Sequence, residues 1–234
     1  MYFFTFSRVP LLLIAIAIVS SITAAQNRSR MQDAQRHSSN AAKTFTEIMN
    51  VRDKAIPQEL LDKAEAIAVF PGVLKAAFIF GGRGGQGVIS RRVRGGWSAP
   101  AFFNLTGGSF GAQIGAQKND YVFLIMNEDG VKGLLEDKFE LGGEAGVVAG
   151  PIGREAAAST NPTLDAGILS YSRSKGVFIG AALKGAAITP DNDLNEAVYG
   201  KKGKEVLIGA PMPLAQMPAN VRIFPRTLAR YSTR

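Results

Sequence analysis

The sequence predicts an α+β protein in which a strongly curved, mainly antiparallel, glycine-rich β-sheet or small barrel is joined by N-terminal helices and a few short peripheral helices. Helical periodicity marks the first part of the chain and short later segments, whereas the centre alternates apolar runs with turn residues. Glycine is also unusually frequent, with 26 among 234 residues, against a general usage of about 7%. Together these observations favour a coiled sheet over flat β structure.

The composition excludes several classes of functional site. The chain has no cysteine and a single histidine, His37. It therefore cannot form a disulfide, a thiolate metal site or a lipid-modified cysteine anchor. His37 alone cannot build a multi-histidine metal site or an ordinary Ser-His-Asp triad. Since no carboxylate pair stands out either, we expect a protein that is not an enzyme and holds no metal or cofactor.

Residues 1–25 are typical of a secretory signal segment. Arg8 precedes an apolar run at 11–19, and small residues follow up to Ala25, which suits cleavage before Gln26. An uncleaved membrane anchor is the alternative, although the apolar run is shorter than the roughly 20 residues of a spanning helix. We expect an exported protein, periplasmic or secreted, that is membrane-associated if the segment is not cleaved.

The positive charge of the chain points to anionic partners. The full chain carries a formal net charge of +8, and removal of Arg8, the only charge in residues 1–25, leaves +7. A basic surface attracts phospholipid head groups, acidic proteins or nucleic acid. Export makes nucleic acid the least suitable of these, so we expect an anionic phospholipid or membrane surface, or a protein partner.

The rest of the chain divides into one domain at 26–210 and a proline- and arginine-rich tail at 211–234. The stretch at 26–50 lacks glycine and proline and predicts an amphipathic helix that packs one apolar stripe on the body. A basic helix lying on a membrane surface is the alternative. The stripe consists of Ala34, Ala41, Ala42, Phe45, Ile48 and Met49.

Later elements follow from local signals. Pro57 in a first turn predicts a short helix at 56–64, and Pro71-Gly72 predicts a turn. Further helices are predicted at 131–136 and at 191–199, the second capped by Gly200. Strands are predicted at 66–70, 76–80, 88–90, 97–105, 121–126, 139–141, 145–149, 168–172 and 177–187.

Glycine pairs at predicted strand ends form a weak repeat. They occur at 81–82, 107–108 and 142–143, and after the last two, glycine recurs at every fourth residue, as far as Gly115 and Gly150. Residues four apart in a strand share a face, so a line of glycines would let another layer approach closely.

The first glycine pair opens the segment GGRGGQG at 81–87. A phosphate-binding P-loop needs Lys and Ser or Thr after the last glycine, and a dinucleotide fingerprint needs a helix there. Neither follows, because 88–90 is predicted to be a strand. We interpret the segment as a hairpin turn between strands.

Basic residues cluster around this glycine segment. Loop N–H groups and guanidinium groups can together bind phosphate, and a nearby tryptophan suits a membrane interface. An ordinary solvated hairpin tip is the alternative. The candidate lipid-binding residues are Lys75, Arg83, Arg91, Arg92, Arg94 and Trp97.

Several short motifs carry a resemblance to a known family. They are IPQELLDKAEAIAVFP at 56–71, FIFGGRGG at 78–85, WSAPAFF at 97–103, GAQIG at 111–115, the acidic turn after 121–126, YSRSKG at 171–176 and NEAVYG at 195–200. In this order, and over roughly residues 40–205, they resemble the SYLF domain family.

The resemblance implies a lipid-binding module. Eukaryotic members look like phosphoinositide-binding modules of actin-patch and membrane-trafficking proteins, and some are reported to bind actin, whereas bacterial members are exported. We therefore expect an exported, non-enzymatic bacterial member that contacts anionic phospholipid through a basic surface. A structural or partner-binding envelope protein without lipid specificity is the alternative.

Overall fold

The computed structural model describes residues 9–51, 55–77, 80–110, 115–142, 146–153, 167–181, 183 and 185–232. Within these ranges the chain forms a curled sheet of ten strands accompanied by six helices, which confirms the predicted α+β class. The helices are α1 (Val9–Met49), α2 (Gln58–Lys63), α3 (Glu128–Leu134), α4 (Asn192–Tyr199), α5 (Gly203–Ile208) and α6 (Ile223–Tyr231). The strands are β1 (Ala66–Ala77), β2 (Phe80–Val93), β3 (Gly96–Trp97), β4 (Ala101–Phe110), β5 (Gly115–Ile125), β6 (Phe139–Leu141), β7 (Val147–Ala149), β8 (Ile168–Ser174), β9 (Val177–Gly180) and β10 (Ala186–Pro190).

The sheet is mainly antiparallel and nearly closed on itself. Its strand order is β6-β10-β4-β2-β1-β5-β8-β7, with β3 paired to β2 and β9 paired to β8, and the β7–β8 pair is parallel. Leu141 of β6 and Val147 of β7 belong to one apolar cluster although their strands stand at opposite ends of this order. The sheet therefore curls until its two ends share a core.

Successive side chains in a strand point to opposite faces, so the curled sheet has an inner and an outer face. The inner face, which includes Phe70 and Phe123, packs with residues of α3 and α5. The outer face, which includes Val69, Val122 and Tyr171, is covered by α1, α2, α4 and α6. These two faces give the protein two apolar layers on one sheet.

The turn predicted at Pro71-Gly72 is wrong, because β1 continues through both residues. The chain forms a β-bulge there instead: the pairing register with β2 shifts between Val69 and Leu74. Gly72 has φ of +60°, which favours glycine, and its N–H donates to Asp120 Oδ1 at 2.7 Å. A bulge adds one residue to a strand. The side chains after this bulge therefore point to the opposite face from the one that the alternation before it would give.

The hairpin turn predicted at 81–87 is also wrong, because this segment lies within β2 and pairs with β1 and β4. None of its glycines has positive φ. Their role is close packing against the bulge: a Cβ on Gly87 would lie 2.4 Å from the Val69 carbonyl oxygen, and one on Gly85 would lie 2.7 Å from Val73 Cγ2. Glycine is needed here because the neighbouring strand lies close by, and not because the chain reverses direction.

The predicted lines of glycine along single strands are wrong as well. Gly107 lies in β4 but Gly115 lies in β5, and Gly111 falls outside the described residues. In the second line, Gly142 is in a turn with φ of +90° and Gly150 follows the end of β7. The fourfold spacing therefore crosses from one element to the next and marks no common face.

Most of the predicted helices and strands are confirmed, with shifted bounds. The helix predicted at 131–136 begins earlier, at Glu128, because the Asn127 side chain accepts a hydrogen bond from the Gly130 N–H and caps it. The strand predicted at 177–187 is two strands, β9 and β10, which pair with β8 and β4 respectively. Gly200 caps α4, as predicted, and the structure shows it in the left-handed conformation.

The amphipathic helix predicted at 26–50 is confirmed as part of α1, which begins at Val9 and runs through the predicted cleavage point. Ala34, Ala41, Phe45 and Ile48 are fully buried against the outer face, which supports the packing interpretation of the apolar stripe. In the ranges that the structure covers, no helix combines the length and apolar character needed to cross a membrane. His37 lies beside this stripe, and burial, followed by the charge of Arg36, lowers its pKa.

The C-terminal tail predicted at 211–234 is packed on the body through most of its described length. Phe224 and Leu228 of α6 are fully buried in the same apolar cluster as Phe45 of α1. The Tyr231 ring stands edge-on to Phe45, with ring centroids 5.8 Å apart. The boundary predicted at residue 210 therefore does not separate two packing units.

Candidate functional site

The structure splits the six predicted lipid-binding residues into two groups. Lys75 and Arg83 face each other across the β1–β2 pair. Arg91 and Arg92 lie at the other end of β2, and Arg94 and Trp97 lie beyond that end. Eight residues of extended strand separate Arg83 from Arg91, which corresponds to about 26 Å. The predicted single cluster is therefore wrong.

Arg92 and Trp97 have structural roles. The Arg92 guanidinium donates to the carbonyls of Leu61 and Ala64 at the end of α2, at 2.6 and 2.9 Å. It also lies 4.3 Å from the centre of the Trp97 ring. Trp97 is 6% exposed, and its Nε1 donates to Ser232 Oγ at 2.9 Å. The predicted membrane-interface position of Trp97 is therefore wrong, since the indole is buried under the C-terminal helix.

Arg91 and Arg94 are nearer to solvent but do not form a site. Arg91 donates to Glu128 Oε1 at 2.9 Å, so its charge is already paired with the acidic start of α3. Arg94 is exposed in the turn between β2 and β3. These two residues therefore fit the solvated interpretation of the basic cluster.

Lys75 and Arg83 form the one pair of predicted residues that the fold brings together. They are register partners, and directly opposite residues of an antiparallel pair have Cβ atoms about 5 Å apart. Both point to the inner face, because Val73 and Ile89, which share their alternation, lie in the inner cluster. Among the described residues neither forms an ion pair, and the buried Arg83 Nε has no hydrogen-bond partner.

A ladder of uncharged polar side chains continues from this cation pair along the inner face of β5. Gln117 is the register partner of Lys75, and its Nε2 donates to Asn119 Oδ1 at 2.9 Å and to Ser174 Oγ. Asn119 Nδ2 donates in turn to Tyr121 Oη at 3.1 Å. Sequence reasoning missed this ladder, because these residues carry no motif and only the pairing of β1, β5 and β8 aligns them.

We call this set the inner polar end, consisting of Lys75, Arg83, Gln117, Asn119 and Ser174. It lies where β1, β2 and β5 extend past the apolar part of the inner core. Two like charges opposite each other repel, and an anion placed between them would remove that repulsion. An ammonium and a guanidinium group together match phosphate or carboxylate oxygens. The arrangement is suited to holding an anionic group and contains no nucleophile–base pair.

A comparison with known protein families finds one matching family model. Residues 106–230 match the family model described as Ysc84, Las17-binding protein actin regulator, and this match covers more than half of the chain. The chain belongs to the Ysc84/SYLF family, which confirms the resemblance found in the sequence motifs.

Curated relatives support the same assignment. The chain is 39% identical over 167 residues to LAS seventeen-binding protein 3 of Saccharomyces cerevisiae, a match that covers 69% of this chain and 36% of that protein. It is 40% identical over 152 residues to Protein YSC84 of the same yeast, covering 63% and 32%. It is 32% identical over 188 residues to SH3 domain-containing YSC84-like protein 1 of Xenopus laevis, covering 77% and 56%. The chain thus spans about a third to just over half the length of these relatives.

Proposed function

We propose that this chain is an exported, non-enzymatic module that binds anionic phospholipid at a membrane surface through its inner polar end. The observation that carries the proposal is the pairing of Lys75 with Arg83, in which two cations face each other without an ion-pair partner among the described residues. A phosphate head group supplies the missing negative charge and accepts hydrogen bonds from the guanidinium fork.

The outer face of the same strand end adds to this proposal. Lys118 is the register partner of Leu74, and both lie on the face opposite to Lys75. Lys118 is exposed, and Leu74 is 46% exposed although it is apolar. Cations beside an exposed apolar side chain suit a membrane surface, where the charge meets head groups and the apolar group meets the acyl boundary.

Vesicle co-sedimentation tests the lipid proposal. The double variant Lys75→Gln with Arg83→Gln should bind phosphatidylglycerol vesicles roughly 30-fold more weakly, because each basic residue at an anionic surface contributes about 1 kcal/mol. Binding of the parent protein should also fall with added salt and should be weak on phosphatidylcholine vesicles.

The matched control is Arg94→Gln with Lys201→Gln, which removes the same charge from two exposed positions away from the inner polar end. It should retain nearly all of the parent affinity. If both double variants lose affinity equally, the attraction belongs to the whole basic surface and the inner polar end is not the site. If neither variant changes binding, the inner polar end is not the site, and if the parent protein does not bind anionic vesicles, the lipid proposal itself is wrong.

Export is the second part of the proposal, and it rests on the signal-like residues 1–25. When the full chain is expressed in a bacterium, intact-mass measurement should find it in the periplasm or medium without residues 1–25. A full-length protein in the membrane fraction would support the anchor alternative. A full-length protein left in the cytoplasm would contradict export.

A protein partner is the second candidate function. The names of the family model and of one yeast relative describe binding to Las17, which favours recognition of protein by this family. In that case the surface charge would serve an acidic partner or solubility, and vesicle binding of the parent protein should be absent.

A further inference from the structure

The helices α1 and α6 enclose a groove that the proposed lipid site does not use. The two helices run in the same direction, since Asn220 just before α6 bonds to the Met31 carbonyl and Tyr231 at its end bonds to Asn50. The groove between them has a volume of about 490 Å³. Its lining includes Lys43 and Glu47 of α1 and Ile223, Arg226 and Arg230 of α6.

The groove has an excess of positive charge. Its one carboxylate, Glu47, is held at 2.7 Å by Arg173 from β8, while Lys43 stands farther from it, at 3.9 Å. Arg226 and Arg230 form no ion pair with any described residue and are exposed. Two cations of α6 therefore line the groove without compensation.

The direction of these arginines is set by the core. Phe224 and Leu228 are fully buried and hold one face of α6 against α1 and the sheet. Arg226 and Arg230 consequently lie on the other side, one helical turn apart, which corresponds to a rise of about 6 Å. Ile223 is 45% exposed and lies at the N-terminal end of the same row.

This row has the spacing of alternate residues in an extended peptide. Side chains two residues apart in an extended chain point to the same side and are about 6.6 Å apart. Two carboxylates at that spacing can meet Arg226 and Arg230, and an apolar side chain a further two residues along can meet Ile223. A single head group, in contrast, is too compact to contact both ends of the row.

We propose that the α1–α6 groove binds an extended acidic segment of a protein partner, with two carboxylates on alternate residues and an apolar residue next in the alternation. The argument rests on charge complementarity and spacing, and it is independent of the lipid site. Lys43 on α1 closes the opposite side of the groove and adds a third cation.

Fluorescence anisotropy with a labelled peptide tests this inference on the full chain. The probe is Leu-Ser-Glu-Ser-Glu-Ser-Leu, which reads the same in both directions and so does not depend on the orientation of binding. The same peptide with Gln in place of both Glu is the ligand control. The acidic peptide should bind and the Gln peptide should bind at least about fivefold more weakly, as expected for the loss of two exposed ion pairs.

The variant Arg226→Gln with Arg230→Gln should weaken binding of the acidic peptide by about the same factor. Ile223→Ser should weaken both peptides, and the charge-matched control Arg94→Gln with Lys201→Gln should have no effect. All substituted side chains are exposed or partly exposed, and a circular dichroism melt checks that each variant is folded.

Three outcomes would overturn the proposal: no difference between the acidic and Gln peptides, equal loss in the control variant, or no loss in the Arg226/Arg230 variant. The same variants on phosphatidylglycerol vesicles separate this site from the lipid site. If the Arg226/Arg230 variant loses vesicle binding and leaves peptide binding unchanged, the groove belongs to the membrane surface and the peptide inference fails.

Discussion

Replacement of Phe224 by alanine will lower the free energy of unfolding by about 3–5 kcal/mol, the range for truncating a buried aromatic residue. Phe224 is fully buried and belongs to the outer apolar cluster together with Phe45 of α1 and Val122 of β5. The chain around it is held by further contacts, including the hydrogen bond from Trp97 to Ser232. We therefore expect the space left by the ring to stay largely unfilled.

Urea denaturation followed by circular dichroism measures this effect. The neighbouring substitution Ile223→Ala is the matched control, because Ile223 is 45% exposed on the same helix. It should change the free energy of unfolding by no more than about 0.5 kcal/mol, as surface substitutions usually do. A loss below about 1 kcal/mol for Phe224→Ala would mean that α6 unfolds separately from the sheet.

The second large effect is expected at Asn195, where substitution by leucine should cost about 2–5 kcal/mol, because buried backbone groups lose their partners. Asn195 is fully buried. Its Oδ1 accepts from the Phe102 N–H at 2.9 Å, and its Nδ2 donates to the carbonyls of Phe102 and Asp191, each at 2.8 Å. One side chain thus joins the start of α4 to the backbone of β4.

Leucine has a similar volume, so the expected loss comes from hydrogen bonding rather than from a cavity. The control is Asn220→Leu, since Asn220 is half-buried and, among the described residues, its side chain makes one hydrogen bond, to the Met31 carbonyl at 3.2 Å. Thermal and urea unfolding should show a loss of about 1 kcal/mol or less for this control. Equal losses at both positions would show that the Asn195 hydrogen bonds contribute no more to stability than the Asn220 hydrogen bond.

The Asn195 network gives a structural role to the segment NEAVYG at 195–200, which is one of the motifs of the family resemblance. The segment supplies the buried amide, then Tyr199, whose hydroxyl donates to the Pro100 carbonyl at 2.8 Å, and finally Gly200 with φ of +64°. Pro100 belongs to the motif WSAPAFF, so the two motifs meet in space. Asn195, Tyr199 and Pro100 thus have structural roles in these two motifs.

Glycine is the least reliable guide to local structure in this chain. Its preference for turns reflects its access to positive φ, yet Gly85 and Gly87 have ordinary strand conformations. Glycine is needed at these two positions because β1 passes too close for a Cβ. Gly72, in contrast, has positive φ but lies in a bulge and not in a chain reversal. Sequence cannot separate these cases, since the distance to the next strand is a property of the assembled sheet.

The sequence by itself determined the α+β class, the apolar stripe of α1, most helices and strands, and the SYLF resemblance. These depend on local periodicity, capping and motif order, which a chain carries before it folds. Only the tertiary structure decided which basic side chains lie close together. The bulge at Pro71-Gly72 shifts the alternation of β1 so that Lys75 faces inward opposite Arg83, and strand length carries Arg91 about 26 Å away. Strand register and helix packing are long-range pairings, so charges adjacent in sequence can end on different sides of the molecule.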